Sequence, residues 1–398
     1  MWDRGSSDLG LEPRVRNPHG GAMTLQMETN TTRAEELVAL AASCGPVLRE
    51  HATAHDRDGT WVAEPYEALR RAGLLTLGVP SELGGMGASI AEIAAVDREL
   101  AKHCGSTALA LSMHHHVTAF TAWRWRRDLP GAEPTLKRVA GGETVLVSTG
   151  GGDFTHPRGT AVKVDGGWRV SGRKQFASQS PVGSVMSTMF TYEDPERGRR
   201  VLNLAVPFGD GVRIIENWDT LGMRGTASHD VEVTDVFVPD DKILADRPYG
   251  VVDPPLQVIC SIAFPIISAV YLGVAEGAAE EAIELARPRA ADPLVQRQVG
   301  LLRHKLRVAG WALDGALAVV GDDPAPSMET VAAVMTAKRE IAIAGVEICD
   351  LAMELAGASA YRKGSRIERA YRDIRALKLH PFSPEVTLLH GGRVALGL

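Results

Sequence analysis

Residues 217–244 read NWDTLGMRGTASHDVEVTDVFVPDDKIL. Within them VEVTDVFVP, residues 231–239, alternates apolar and polar side chains with a period of two, as a strand with one buried face does. The same short alternating runs extend back through TAVKV, WRVSG and NLAVPF to about Val145, divided by turn signals at Asp165-Gly166-Gly167 and Gly209-Asp210-Gly211. This predicts a compact β unit.

On both sides of it the period changes. Leu37, Leu40 and Ala41, then Leu69, Leu74 and Leu75, then Ile93, Val96 and Leu100 recur at helical spacing, which predicts an all-helical unit from Thr32 to Arg127. Gly84, Gly85 and Gly87 in SELGGMGAS mark a loop inside it. After Pro254 the helical period returns over 256–287, 293–320 and 328–355. Asp292 ahead of Pro293, and Ser327 ahead of Glu329, supply helix starts. The expected organisation is mainly α with a central β-barrel: a helical domain over 31–143, a middle β domain over 144–245 and a helical bundle over 246–398. Residues 1–30 are polar and rich in Gly, Pro, Arg and Asn. They read as a disordered leader, with Met23 or Met27 as a candidate start.

The 398 residues are 45% apolar and 23% charged, as in folded enzymes, and long enough for two or three packed units. With 43 basic against 49 acidic residues the net charge is -6, so no basic excess is available for nucleic acid. Arg124, Arg126 and Arg127 read as a solvated helix face. Cys44, Cys104, Cys260 and Cys349 form no C-x-x-C pair, which predicts neither a metal site nor a disulfide framework and fits a reducing cytoplasm. No leading apolar run predicts a signal peptide or membrane span. The absence of GxGxxG and GxxxxGK[ST] excludes the usual Rossmann and P-loop signatures.

The order helices, small β unit, helical bundle resembles the layout of the acyl-CoA dehydrogenase superfamily from about Thr32 onward. GLLTLGVPSELGGMGAS at residues 73–89 resembles the segment before its third helix. Residues 217–244 resemble its last barrel strands, and SRIERAYRDIR, ending at Arg375, the segment before its last helix. The resemblance implies a flavin, FAD or FMN, between β domain and bundle, in a homotetramer acting on a small-molecule substrate. It also implies flavin contacts from Thr149, Phe176 and Ser178, which would otherwise read as ordinary strand residues.

The sequence departs from the dehydrogenase pattern where the chemistry sits. The glutamate that removes the α-proton of an acyl thioester is replaced by Pro381, its alternative position on the first bundle helix by Ala263, and the neighbouring arginine by Phe264. Glu385, a helical turn on, is the nearest substitute. The R-x-x-F-G segment for the adenine half of FAD is replaced by RPRAADPLVQ, and the Q-x-x-G-G segment reads Glu354-Leu355-Ala356-Gly357-Ala358, with Gly357 at a cofactor-binding glycine and Glu354 bringing an unfavourable charge. These departures resemble the two-component flavin monooxygenases, whose reduced flavin comes from a separate reductase. There His380 would fall where that branch carries a histidine, and with Ser178 would hold a flavin C4a-hydroperoxide by hydrogen bonds.

His114, His115 and His116 lie in the apolar run ALALSMHHHVTAF. Helical neighbours are about 100° apart, so the three cannot share a face or one metal ion. His115 or His116 is expected to face the cavity and take a substrate proton; a buried core histidine is the plainer alternative. The two functional expectations are therefore a two-component monooxygenase and, as alternative, an FAD-dependent acyl-CoA dehydrogenase with an unidentified base.

Overall fold

The computed structural model describes residues 32–398. The expected leader, 1–30, lies outside them. Five helices come first: α1 (Arg33–Asp58), α2 (Ala63–Arg71), α3 (Ile90–His103), α4 (Gly105–Trp125) and α5 (Ala132–Ala140). Two start on capping boxes, Thr32 with Glu35 and Ser89 with Glu92, so the SELGGMGAS loop ends in the cap of α3. That loop folds tightly on itself: a Cβ at Gly85 would lie 2.3 Å from the carbonyl oxygen of Val79.

The β unit holds β1 (Leu146–Ser148), a short α6 (Gly150–Asp153), β2 (Thr160–Val164), β3 (Gly167–Ala177), β4 (Val185–Asp194), β5 (Gly198–Pro207), β6 (Val212–Ile215), β7 (His229–Pro239) and β8 (Ile243–Pro248). The strand order is β6-β7-β3-β2-β4-β5-β8, with β1 parallel to β4. The expected barrel is corrected here: the sheet is open, and its end strands β6 and β8 do not pair. The two halves meet at one pair, Thr160 with Thr191, while β2 and β3 pair over five residues. At that junction a Cβ on Gly172 would lie 2.6 Å from the Cα of Gly159, so the chain crosses there at close range without continuing the ladder. Val170, Phe190, Leu202, Leu204 and Val231 fill the space between the halves.

The bundle is α7 (Pro254–Ala286), α8 (Pro293–Val320), α9 (Met328–Ala356), α10 (Arg366–Asp373) and α11 (Pro384–Ala395). Asp292 accepts from the Leu294 amide and Ser327 from the Thr330 amide, as the sequence predicts for these caps. The stretch Pro254–Arg289 is long and apolar enough to cross a membrane, its most apolar 18-residue window having a mean hydropathy of 2.2, yet 94% of that window is buried inside the protein. It is the core helix, packed between α9 on one side and α3 and α4 on the other.

Candidate active site

A cavity of about 270 Å³ opens where the β unit meets the bundle. The sheet side supplies Ser148, Gly150, Gly151, Phe176 and Ser178; the 218–228 loop supplies Trp218, Thr220, Met223 and Ser228. Leu109, Met113 and His116 of α4, Ala263, Phe264, Ile267 and Tyr271 of α7, and Leu379, His380 and Pro381 before α11 close the wall.

Backbone strain concentrates here. Phe176, Gln179, Met223, Ala227 and Phe382, all non-glycine residues in the left-handed region, lie on or beside this wall. Strain of this kind persists only where the surroundings over-determine it. Phe176 sits in an irregularity of the β3–β7 ladder that turns its ring, 47% exposed, onto the rim against Trp218. Gln179 is pinned on three sides: Tyr66 donates to its carbonyl at 2.7 Å, its amide donates to the Leu146 carbonyl, and its backbone N–H to Thr226.

Hydrogen-bond directions fix what the polar groups present. Thr226 Oγ1 donates to the Met223 carbonyl, so it must accept from Ser228, 2.7 Å away. Ser228 then has no proton left for Ser178, also at 2.7 Å, so Ser178 donates and keeps its lone pairs free. His380 Nε2 lies 2.9 Å from the hydroxyl of Tyr271. Burial raises the pKa of Tyr271 well above the usual phenol range, and its proton has no other acceptor among the described residues, so Tyr271 donates to Nε2. His380 is thereby held as the tautomer with its proton on Nδ1, facing the cavity. The loop carrying His380 is clasped from behind by Lys338, whose ammonium donates to the carbonyls of Leu377, His380 and Phe382 at 3.2, 3.4 and 2.9 Å.

The histidine run diverges, as helix geometry requires. His114 accepts from the Leu146 amide on Nδ1 and donates from Nε2 to the Leu75 carbonyl. His115 is sealed between α3 and α4, with Nδ1 2.9 Å from Asp97 and Nε2 2.8 Å from the Leu74 carbonyl, and does not reach the cavity. His116 does. Its Nδ1 donates to the Ser112 carbonyl at 3.0 Å, which leaves the Nε2 lone pair toward the open space. Among the other expected site residues, Thr149 is fully buried with its hydroxyl on Thr188, next to wall residues Ser148 and Gly150. Gly357 caps α9 away from the cavity, and Glu385 is exposed in the first turn of α11. Tyr271 and Lys338 carry no motif, so only their place in the fold reveals them, whereas Trp218 lies in the 217–244 stretch.

His51, His55 and Glu64 have ligand atoms within 4.8 Å of one another, a spacing a metal could use. His55 already bonds Glu64 at 2.7 Å and Thr60 at 2.8 Å, and the group lies on α1 and α2, outside the cavity wall.

Burial lowers the pKa of His114 to about 3, of His116 to about 4 and of His380 to about 3, with Lys338 adding to the last. Such groups are neutral when folded and gain a proton on unfolding below their ordinary value of about 6.5. The unfolded chain therefore binds more protons between pH 6.5 and 4, so stability is present at neutral pH and is lost on acidification. Melting at fixed scan rate from pH 7.5 to 5 is expected to show a fall, His114 and His116 each approaching about 1.4 kcal/mol per pH unit below pH 6. A flat profile would mean the histidines are hydrated.

The family model described as acyl-CoA dehydrogenase, N-terminal domain, matches residues 31–125, and that described as acyl-CoA dehydrogenase, C-terminal domain, residues 265–384. The amino sugar nitrososynthase DnmZ of Streptomyces peucetius is 28% identical over 93% of this chain and 95% of its own length. The probable FMNH2-dependent monooxygenase SfnC of Pseudomonas putida is 30% identical over 82% of this chain and 86% of its own. The structure of KijD3 in complex with FMN and dTDP-3-amino-2,3,6-trideoxy-4-keto-3-methyl-D-glucose superposes with a TM-score of 0.83 at 27% identity, covering 92% of this chain and 95% of that one. With both family models matched and a superposition that covers 92% of this chain, the chain belongs to the acyl-CoA dehydrogenase superfamily.

Proposed function

We propose that this flavin-dependent oxidoreductase is the oxygenase half of a two-component monooxygenase, taking up reduced FMN from a separate reductase and inserting oxygen into a small organic substrate. One observation carries the reading: among the described residues, none lining the cavity is a carboxylate. Thioester dehydrogenation needs a base at the α-carbon. Pro381 and Ala263, the two places where the sequence alignment puts that base, both stand in the wall, and neither can take a proton. The dehydrogenase reading is left without its base.

The cavity fits a planar heteroaromatic ring, with apolar side chains on its faces and single hydrogen-bonding groups at its edges. Bound reduced flavin supplies the two electrons with which O2 is divided between substrate and water. Ser178, with its proton spent on Ser228, offers lone pairs to a ring N–H, which reduced flavin has at N5 and oxidised flavin lacks. His380 donates from Nδ1, His116 accepts at Nε2, and the aliphatic wall keeps water away from both. Thr149 positions the end of β1 through Thr188.

FMN rather than FAD is supported by the FMN-linked relatives and by the exposed Glu354 beside Gly357, where a pyrophosphate would be repelled. A homotetramer is supported by apolar side chains left uncovered on α8 and α11, with Leu294, Trp311 and Leu389 each more than 60% exposed. Four buried free cysteines are compatible with a cytoplasmic setting.

The test is rapid mixing of the FMN-reduced protein with oxygen while absorbance is followed. A transient spectrum distinct from both flavin states, appearing before oxidised FMN, is the expected result. Direct one-step reoxidation, together with bleaching of bound flavin by an acyl thioester, would replace this reading with the dehydrogenase.

A further inference from the structure

Some relatives are named for amino sugars and a solved neighbour holds a dTDP-linked sugar, whereas a relative covering 90% of this chain is named a dibenzothiophene monooxygenase. The chemistry of the cavity distinguishes the two. Among the described residues, its walls carry no lysine, arginine, aspartate or glutamate. The polar groups that do reach it are hydroxyls, an indole and two imidazoles.

Charged groups are present just behind the wall, and Lys338, Lys174, Asp373 and Arg247 each have protein partners there, while Oδ1 of Asp253 has no hydrogen-bond partner among the described residues. Lys338 faces three backbone carbonyls. Lys174 is bound to Asp153 at 2.7 Å, with both side chains buried. Asp373 accepts from the amide of Met223, and Arg247 lies 3.8 Å from Asp253. None of them points an unpaired charge at the space between Met113, Phe264, Ile267 and Trp218. His116 and His380 are neutral near pH 7, because burial places their pKa values at about 4 and 3. An anion entering here would lose its hydration and meet no countercharge, which is the most costly way to bury a polar group.

The rim continues the same surface. Phe176 and Leu379 are exposed there, at 47% and 86%. A large exposed apolar mouth favours entry of an apolar molecule over a solvated one.

We propose that the substrate taken by this cavity is an uncharged, mainly apolar ring compound carrying at most one hydrogen-bond donor, and not a nucleotide-linked sugar or another anion. The donor, an O–H or N–H, would meet the Nε2 lone pair of His116, the free acceptor on the α4 side. Phe264, edge-on to Phe154, gives the α7 side of the wall an aromatic ring. The inference rests on the monooxygenase reading only for the word substrate, since binding can be measured without turnover.

The experiment is calorimetric titration of the protein saturated with oxidised FMN, with no reductase present, using 2-naphthol, naphthalene, 2-naphthoate and dTDP as probes. The expected order is 2-naphthol first, naphthalene within about tenfold of it, 2-naphthoate at least about tenfold weaker than 2-naphthol, and no heat from dTDP. Equal or tighter binding of 2-naphthoate, competition of dTDP with 2-naphthol, or no binding of any probe would each overturn the proposal. Failure of oxygen transfer in the rapid-mixing experiment, with this binding order intact, would remove the oxygenase reading and leave the ligand class standing.

Discussion

His380→Ala is expected to lower product formation per reduced FMN consumed by about 10²-fold, with the fold intact. The size is that of removing one preorganised donor from a site where charge develops out of contact with water. Three features make His380 that donor: Tyr271 spends its proton on Nε2, Lys338 holds the loop by three carbonyls, and Nδ1 has no protein partner among the described residues. Tyr271→Phe should therefore cause a smaller loss, because the ring stays in place while its tautomer becomes free. His380→Asn, which restores an N–H near the same point, should recover part of the activity. Ser178→Ala should weaken retention of reduced more than oxidised FMN, since the lone pairs it removes match an N–H that only the reduced ring carries. The measurement is product against hydrogen peroxide released in a coupled assay, with melting curves for each variant. Unchanged coupling in His380→Ala would remove the residue from the chemistry, and equal losses in His380→Ala and His380→Asn would point to packing instead of donation.

The two periods, 3.6 and 2, were enough to place the helical and β units and to locate the starts of α8 and α9 from Asp292 and Ser327, because caps and amphipathic faces are local properties. Closure of the sheet is not local. It depends on whether β6 meets β8, strands separated by the whole of β7, and these two do not pair, while Thr160–Thr191 is the one pair joining the two halves. The site was legible only where a residue's role is tied to its position along the chain: Ser178, Phe176 and His380 reach the cavity, and Pro381 and Ala263 stand in its wall. Thr149 and Gly357 do not line it. Tyr271 and Lys338 were missed because they sit on helices whose periodic pattern marks them as core. Met223 and Ala227 adopt left-handed backbone without being glycine, so no turn signature announces them. The geometry of HHH excluded a shared metal, yet the partner that removes His115 from the cavity, Asp97, belongs to a different helix.

That partner makes His115→Ala the variant with the largest expected effect on stability, about 3–5 kcal/mol. Asp97 and His115 are both fully buried. The Leu74 carbonyl can only accept, so Nε2 of His115 carries a proton, and the carboxyl and Nδ1 share the remaining one. Burial raises the pKa of Asp97; burial also pulls His115 down, but the Asp97 charge and the hydrogen bonds outweigh it, so His115 ends raised. Removing the imidazole strands the carboxyl in the α3–α4 interface and takes one of two donors from the Leu74 carbonyl, which keeps the Leu77 N–H, and the stranded carboxyl adds to the space left by the ring. A chain of this size need not unfold in two states, so the comparison is of apparent melting temperature at one scan rate, where a fall of about 5–10 °C is expected. The paired replacement Asp97→Leu with His115→Leu should melt closer to the parent than His115→Ala alone, because a buried ion pair exchanged for apolar side chains of similar volume is often nearly neutral. Such non-additivity separates an unpaired buried carboxyl from a simple cavity, which would make the double variant at least as unstable as the single one. His115→Ala melting within about 2 °C of the parent would mean that water reaches Asp97. In that case α4 would not be the fixed support on which His116 is carried to the cavity.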